Sequence, residues 1–152
     1  QMCIRDSFDV VHHSQYIAEL IKENKIKPEP WMDEDVTYHD PCYLGRHSNE
    51  YDAPRDVIQS IMRDGKLVEM EQSKRESFCC GAGGGNMWYE IKTGERINKH
   101  RFNQAVETKA KTVAAACNFC NIMLEDGMKV TGNDKDMQVL DIAEMVSKGL
   151  SK

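Results

Sequence analysis

Five of the six cysteines fall into three groups along the chain, and their spacing suits a shared thiolate site. The groups are Cys42, the adjacent pair Cys79 and Cys80, and the CxxC pair Cys117 and Cys120. Thirty-six residues lie between the first and second groups, and thirty-six between the second and third. CxxC spacing is typical of metal sites and redox dithiols. We therefore expect a thiolate site rather than three disulfides.

The glycines beside the vicinal cysteines favour an iron–sulfur cluster over zinc. Thiolates select soft or borderline metals such as zinc, cuprous copper and the iron of iron–sulfur clusters. Four cysteines satisfy a structural zinc ion or a cubane cluster, so five exceed either requirement. Gly81, Gly83 and Gly84 let the backbone direct N–H groups at a negative centre, and a helix predicted to begin near Asn86 adds its positive end. Such donors suit a cluster whose sulfides accept hydrogen bonds.

Two other functions stay open on the residues alone. The same cysteines would hold the fold together in a structural zinc domain, whereas Cys117 and Cys120 would cycle through a disulfide in a metal-free dithiol oxidoreductase. Dinucleotide binding is disfavoured, because Asn86 stands where the third glycine of GxGxxG belongs. Two further residues before Cys42, His39 and Asp40, either tune the site or hydrogen-bond their own loop. No catalytic residue is assigned.

Strand and helix patterns alternate along the chain. Short apolar runs predict four strands, at 36–38, 67–70, 112–116 and 138–140. Helical spacing predicts helices over 14–24, 53–64, a long segment after the glycines, 122–128, and a last one that begins with a capping box at Asp141 and Glu144. This alternation predicts an α/β fold with a mostly parallel four-stranded sheet flanked by helices. The cysteine loops would lie at the carboxyl ends of the strands, where open parallel sheets bind ligands.

The composition excludes several classes of protein. The 152 residues carry a net charge of −5, with 40 % hydrophobic and 30 % charged residues, which is typical of a soluble globular domain. A nucleic-acid partner is not expected, because such proteins usually show a basic surplus. We also expect no membrane span, because no apolar run approaches the roughly 20 residues required. The start of the chain lacks a secretory pattern, which favours a cytoplasmic location.

Three sequence motifs carry a resemblance to a known family. HDPCYLGR at 39–46, FCCGAGGG at 78–85 and ACNFC at 116–120 closely resemble the cysteine-rich CCG domain of heterodisulfide reductase subunits and the iron–sulfur subunit of glycolate oxidase. The resemblance implies an oxidoreductase domain that transfers electrons through a [4Fe–4S] cluster, non-cubane in heterodisulfide reductase, held by all five cysteines. Some family members hold zinc instead. One departure is Asn118, where relatives often carry proline.

The resemblance also bears on domain organisation and partners. We expect the cysteine domain at 36–150, a linker at 25–35, where Pro28 and Pro30 disfavour helix, and the tail of an upstream repeat at 1–24. The repeat is suggested because 9–17 align with 138–146 by residue class. The family implies iron–sulfur domains upstream in the same parent chain and a flavoprotein or quinone-linked partner. Membrane association would then arise through those other parts. The lone Cys3 is expected not to be a ligand.

Overall fold

A computed structural model describes residues 8–89 and 93–150, and its centre is a parallel sheet of three strands. The strands, in spatial order, are β1 (Val36–His39), β2 (Thr112–Ala115) and β3 (Gln138–Asp141). Val36 pairs with Thr112, and Thr112 pairs with Gln138, so the strands are aligned from their first residues. Every residue of β1 and β2 is buried, as expected for parallel strands covered on both faces. The predicted α/β class is confirmed.

The described residues contain three strands where we predicted four. The segment predicted at 67–70 makes only an isolated bridge between Leu67 and Val36. The Val36 N–H donates to the Lys66 carbonyl, and the Val68 N–H donates to the Val36 carbonyl. The pairing ends there, and the next side chain, Glu69, binds the guanidinium of Arg55. The apolar run at 67–70 thus makes a single bridge to β1 and does not form a strand.

In the part of the chain that the structure describes, five α-helices cover the two faces of the sheet. They are α1 (His13–Lys22), α2 (Asp52–Ile61), α3 (Ile97–Glu107), α4 (Asn118–Val130) and α5 (Ile142–Leu150). One buried cluster joins α1, α2 and α5 to one face, through residues such as Ile58 and Met145. A second cluster joins α3 and α4 to the other face, through residues such as Phe102 and Leu124. None of the helices described for 8–89 and 93–150 is long and apolar enough to cross a membrane.

Side-chain caps fix the start of the last helix as the sequence predicted. The Asp141 N–H donates to the carboxylate of Glu144, and the Asp141 carboxylate accepts from the Ala143 N–H at 2.8 Å. These two bonds satisfy backbone donors that the first turn of α5 leaves unpaired. The bond from Asp141 to Glu144 is as the predicted capping box requires, whereas the Asp141 carboxylate accepts from the second residue of α5 rather than the third.

The helix that we predicted to begin near Asn86 is not formed. Gly83–Trp88 makes 3-10 turns instead, and Gly84 and Gly85 within them have φ values of +66° and +77°. Left-handed backbone of this kind interrupts a right-handed helix. The next α-helix, α3, begins only at Ile97. No macrodipole from a helix at Asn86 is therefore directed at the cysteines.

The segment 25–35, which we predicted to be a linker, lies against α2 and α5. The Trp31 indole donates to the Met145 carbonyl at 3.0 Å, and the Glu29 N–H donates to the Gly149 carbonyl at 3.0 Å. Met32 is buried in the cluster on this face. These contacts hold residues 29–32 of the segment against the rest of the fold.

Candidate metal centre

Two of the cysteine groups follow the carboxyl ends of β1 and β2. Cys42 comes three residues after His39, the last residue of β1, and Cys117 comes two residues after Ala115, the last residue of β2. Cys117 is the N-cap of α4, and Cys120 lies in the first turn of that helix and is buried. The parallel pairing of β1 with β2 therefore determines the separation of these two groups.

The third group, Cys79 and Cys80, is held in place by hydrogen bonds to the preceding Ser77. Arg46 donates to the Ser77 carbonyl, and the Ser77 hydroxyl donates to the Asp40 carbonyl at 3.2 Å. After the cysteines, Gly81 has a φ of +92°, and its N–H donates to Cys79 Sγ at 3.3 Å. The chain around the vicinal pair is thus attached to the loop after β1.

The five thiols are free and close together. Cys80 Sγ and Cys120 Sγ are 3.4 Å apart, and Cys79 hydrogen-bonds Cys80 while Cys117 hydrogen-bonds Cys120. A small cavity of about 10 Å³ is lined by four cysteines together with His39 and Arg46. Those four cysteines are Cys42, Cys79, Cys80 and Cys120. All five predicted cysteines are thus brought to one place.

The pKa values of the thiols in this cluster are shifted in opposite directions. Hydrogen bonds from Cys120, Cys79 and His39 lower the pKa of Cys80, and the Ala82 N–H contributes in the same direction. The bond with Cys80 raises the pKa of Cys79, and contacts with Cys117 and Cys80 raise that of Cys120. The Cys80 sulfur is thus the acceptor within this cluster, and the thiols of Cys79 and Cys120 donate to it. A metal ion replaces those protons when thiolates ligate it.

The N-terminus of α4 acts on Cys117. A hydrogen bond from Cys120, together with the backbone N–H groups of Cys120 and Phe119, lowers the pKa of Cys117 to about 6. This is the effect expected at a helix N-terminus, where unpaired N–H groups stabilise an anion. The sequence predicted helix-end donors near the cysteines. Among the described residues, the α4 N-terminus beside Cys117 supplies them.

Two arginines behind the site were missed by the sequence analysis. Arg55 makes a bidentate ion pair with Asp40, and Arg101 donates through Nε to His39 Nδ1 at 3.0 Å. Both arginines are buried. Arg101 lies four residues after Ile97, which places it on the side of α3 that faces the protein. A charged residue at a core-facing helical position is the signal that would have revealed it.

His12 and His13 lie beside the cysteine loops. They line an open, mostly apolar groove of about 320 Å³, together with Tyr43, Phe119 and Cys117 among others. His12 caps α1, because its Nδ1 accepts the Ser14 N–H. Burial is the main cause that lowers the pKa of His12, so the imidazole is neutral at neutral pH. The predicted glycines differ: Gly81 is buried beside Cys79, whereas Gly83 and Gly84 lie on an exposed turn.

The protein is thus an α/β domain with an open parallel sheet, and five free thiols lie together near the ends of two of its strands. The chain belongs to the CCG cysteine-rich domain family, whose model matches residues 36–125. This membership confirms the resemblance drawn from the three sequence motifs.

Curated relatives extend the similarity over nearly the whole chain. It is 39 % identical over 93 % of its length to a probable iron-sulfur-binding oxidoreductase FadF of Bacillus subtilis and 37 % identical over 95 % to an EtfAB:quinone oxidoreductase of Syntrophomonas wolfei. It is 41 % identical over 94 % to one subunit of the dihydromethanophenazine:CoB–CoM heterodisulfide reductase of Methanosarcina barkeri. The match spans 20 %, 21 % and 34 % of these relatives, so the chain corresponds to one part of much longer proteins.

Proposed function

We propose that this domain holds a [4Fe–4S] cluster through all five cysteines and transfers electrons within a larger iron–sulfur oxidoreductase. The observation that carries the proposal is the convergence of five free thiols from three distant segments, with Cys80 and Cys120 in sulfur–sulfur contact at 3.4 Å. The donor set fits such a cluster. It is all sulfur, it exceeds the four ligands of a tetrahedral zinc, and it is partly buried.

Backbone N–H groups around the thiols also suit a negatively charged centre. Gly81 donates to Cys79, and the Ala82 N–H stabilises the Cys80 thiolate. Hydrogen bonds to ligand sulfurs stabilise the added electron of a reduced cluster. We assign this role to Gly81, and we extend it to Gly83 and Gly84 as part of the proposal, since their turn follows the vicinal cysteines directly. When bound, the cluster supplies one-electron chemistry that the side chains lack.

The size and names of the relatives support the proposed partners. Because the chain matches only a fifth to a third of each relative, we propose that iron–sulfur domains elsewhere in the same parent chain exchange electrons with it. One relative is named for a quinone and for EtfAB, which supports a flavoprotein or quinone-linked partner. In this proposal the domain contributes thiolates, N–H donors and a partly enclosed site. The reaction with the substrate requires the other parts of the complete protein.

Anaerobic purification tests the proposal directly. Brown protein with broad visible absorption, four irons and four acid-labile sulfides per chain is the expected result. Colourless protein with one bound zinc would replace the proposal with a structural zinc domain. Metal-free protein with a reversible disulfide between Cys117 and Cys120 would replace it with a dithiol oxidoreductase.

Serine substitutions test the ligand set. Each of the five cysteines, replaced singly by serine, should lower the iron and sulfide content, because oxygen is a poorer ligand for this metal centre. Cys3→Ser is the control and should retain the full content. Full cluster content in the Cys79→Ser protein or the Cys80→Ser protein would contradict ligation by all five thiolates.

A further inference from the structure

His39 lies between a buried arginine and the thiols. It is the last residue of β1, and its side chain is 1 % exposed. One of its ring nitrogens and the Sγ atoms of Cys80 and Cys120 lie within 4.8 Å of one another. Imidazole and thiolates are both good metal ligands, so His39 is either a ligand or a hydrogen-bond donor to a ligand.

The hydrogen bond from Arg101 to His39 distinguishes between these two roles. Arg101 Nε is 3.0 Å from His39 Nδ1, and a guanidinium has only donors. Nδ1 must therefore accept, and it carries no proton. The proton of the neutral ring is then on Nε2, the nitrogen opposite Arg101, and a protonated ring nitrogen has no lone pair available for a metal.

Other hydrogen bonds hold the guanidinium of Arg101 in its position beside His39. Arg101 is fully buried, and three more of its five N–H donors are engaged by the Gln72 carbonyl at 3.0 Å, Gln104 Oε1 at 2.6 Å and the Ser77 hydroxyl at 3.2 Å. A planar fork held at four acceptors cannot rotate away from one of them without leaving buried donors unpaired. The tautomer of His39 is thus fixed by the packing of α3 against β1.

We propose that His39 is a positioning residue whose Nε2–H, fixed by Arg101, donates a hydrogen bond to the Cys80 thiolate and raises the reduction potential of the group that the thiolates hold. This inference rests on the proposed cluster. It assigns His39 outside the ligand set, although its distance from the two sulfurs would allow ligation. A hydrogen bond to a ligating sulfur withdraws charge from it, which favours the reduced state.

The tautomer is measured first, on metal-free protein, so that the result does not depend on the cluster. Nitrogen NMR of ¹⁵N-histidine-labelled, reduced protein should show His39 as the Nε2–H tautomer at neutral pH. The Nδ1–H tautomer or a doubly protonated ring would overturn the proposal. This measurement stands even if the protein holds no iron: the proposed function and the effect on the reduction potential would then fail, whereas the hydrogen-bonding role of His39 would remain.

The potential is measured second, with two variants of the loaded protein. His39→Leu removes the donor, whereas the amide of His39→Gln places an N–H near the position of Nε2. Both should retain the wild-type iron content. His39→Leu should lower the equilibrium constant for reduction about tenfold, which is about 59 mV for a one-electron couple. The equilibrium constant for reduction of the His39→Gln protein should be close to the wild-type value. An unchanged potential in His39→Leu, or strong nitrogen hyperfine coupling from a ligating imidazole in the wild type, would contradict the proposal.

Discussion

Arg55 and Asp40 form a bidentate ion pair directly behind the Cys42 loop. The Nη1–Oδ1 distance is 2.8 Å and the Nη2–Oδ2 distance is 3.0 Å. Arg55 also donates to both carboxylate oxygens of Glu69, and Asp40 accepts the Lys74 N–H at 2.7 Å. One guanidinium therefore connects α2 to the loop that precedes Cys42, and through Asp40 to the turn that precedes Cys79.

Replacing Arg55 should destabilise the fold strongly. Arg55→Met leaves the Asp40 carboxylate buried without its cation, and removing one member of a buried pair costs about 3–5 kcal/mol. Arg63→Met is the matched control, because Arg63 pairs with Asp33 at the surface, where water screens both charges. Urea unfolding of the two variants and the wild type measures the difference. Equal losses of stability would show that the Arg55 pair contributes no more than a surface pair.

Gly81 and Gly83 should respond differently to alanine. A Cβ on Gly81 would lie 3.1 Å from Ile97 Cβ and 3.3 Å from the Asn98 N atom, at a φ of +92° that alanine adopts only with strain of about 1–3 kcal/mol. A Cβ on Gly83 meets nothing within 4 Å. Gly81→Ala should lower both the melting temperature and the iron content, and Gly83→Ala should leave the melting temperature unchanged. Thermal unfolding and iron assays provide the comparison, and wild-type values for Gly81→Ala would refute it.

In metal-free, reduced protein, Cys117 should be alkylated at lower pH than an ordinary cysteine. Its pKa is lowered to about 6, so the thiolate predominates above pH 6 and disappears as the pH falls below it. The rate of iodoacetamide modification at Cys117, followed by peptide mass spectrometry, should therefore reach half its maximum near pH 6. In denatured chain, which lacks the α4 N-terminus, the midpoint should move to about 8.5. Identical midpoints in folded and denatured protein would mean that neither the Cys120 hydrogen bond nor the helix end lowers the pKa of Cys117.

Loading the cluster should order the loop around the vicinal cysteines. The segment 78–86 contains exposed 3-10 turns and is joined to the rest of the site through thiols that a metal would bridge, so metal binding adds directly to its stability. Hydrogen exchange at 78–86 should slow on loading, whereas exchange in β2, which is fully buried in the sheet, should not change. Equal protection of 78–86 in both forms would indicate that protein packing alone orders the loop.

The sequence was sufficient for features that depend on local pattern. Short apolar runs identified β1, β2 and β3, and the residue types of Asp141 and Glu144 identified the start of α5. The cysteine spacing predicted a shared thiolate site, because parallel strands bring the loops at their ends together.

Features that depend on tertiary contacts could not be predicted in this way. Leu67 has the residue type of a strand, but the pairing ends after Val68 and the side chain of Glu69 binds Arg55. Arg55 lies fourteen positions earlier, and no local pattern identifies it as a partner. Asn86 was expected to open a helix, and the left-handed backbone of Gly84 and Gly85 prevents it. The tautomer of His39 depends on Arg101, which is sixty-two positions away and meets it only through the packing of α3.

Because Val36 pairs with Thr112, the sheet cannot close during synthesis until most of the domain has left the ribosome. At about 5–20 residues per second, Cys117 is made roughly 4 to 15 seconds after Cys42. Throughout that interval Cys42, Cys79 and Cys80 lack the thiols and helix end that α4 later supplies. Unpartnered thiols in water are open to oxidation to sulfenic and higher acids. An oxidant present while the chain is being made therefore threatens this site more than the same oxidant acting on the folded domain.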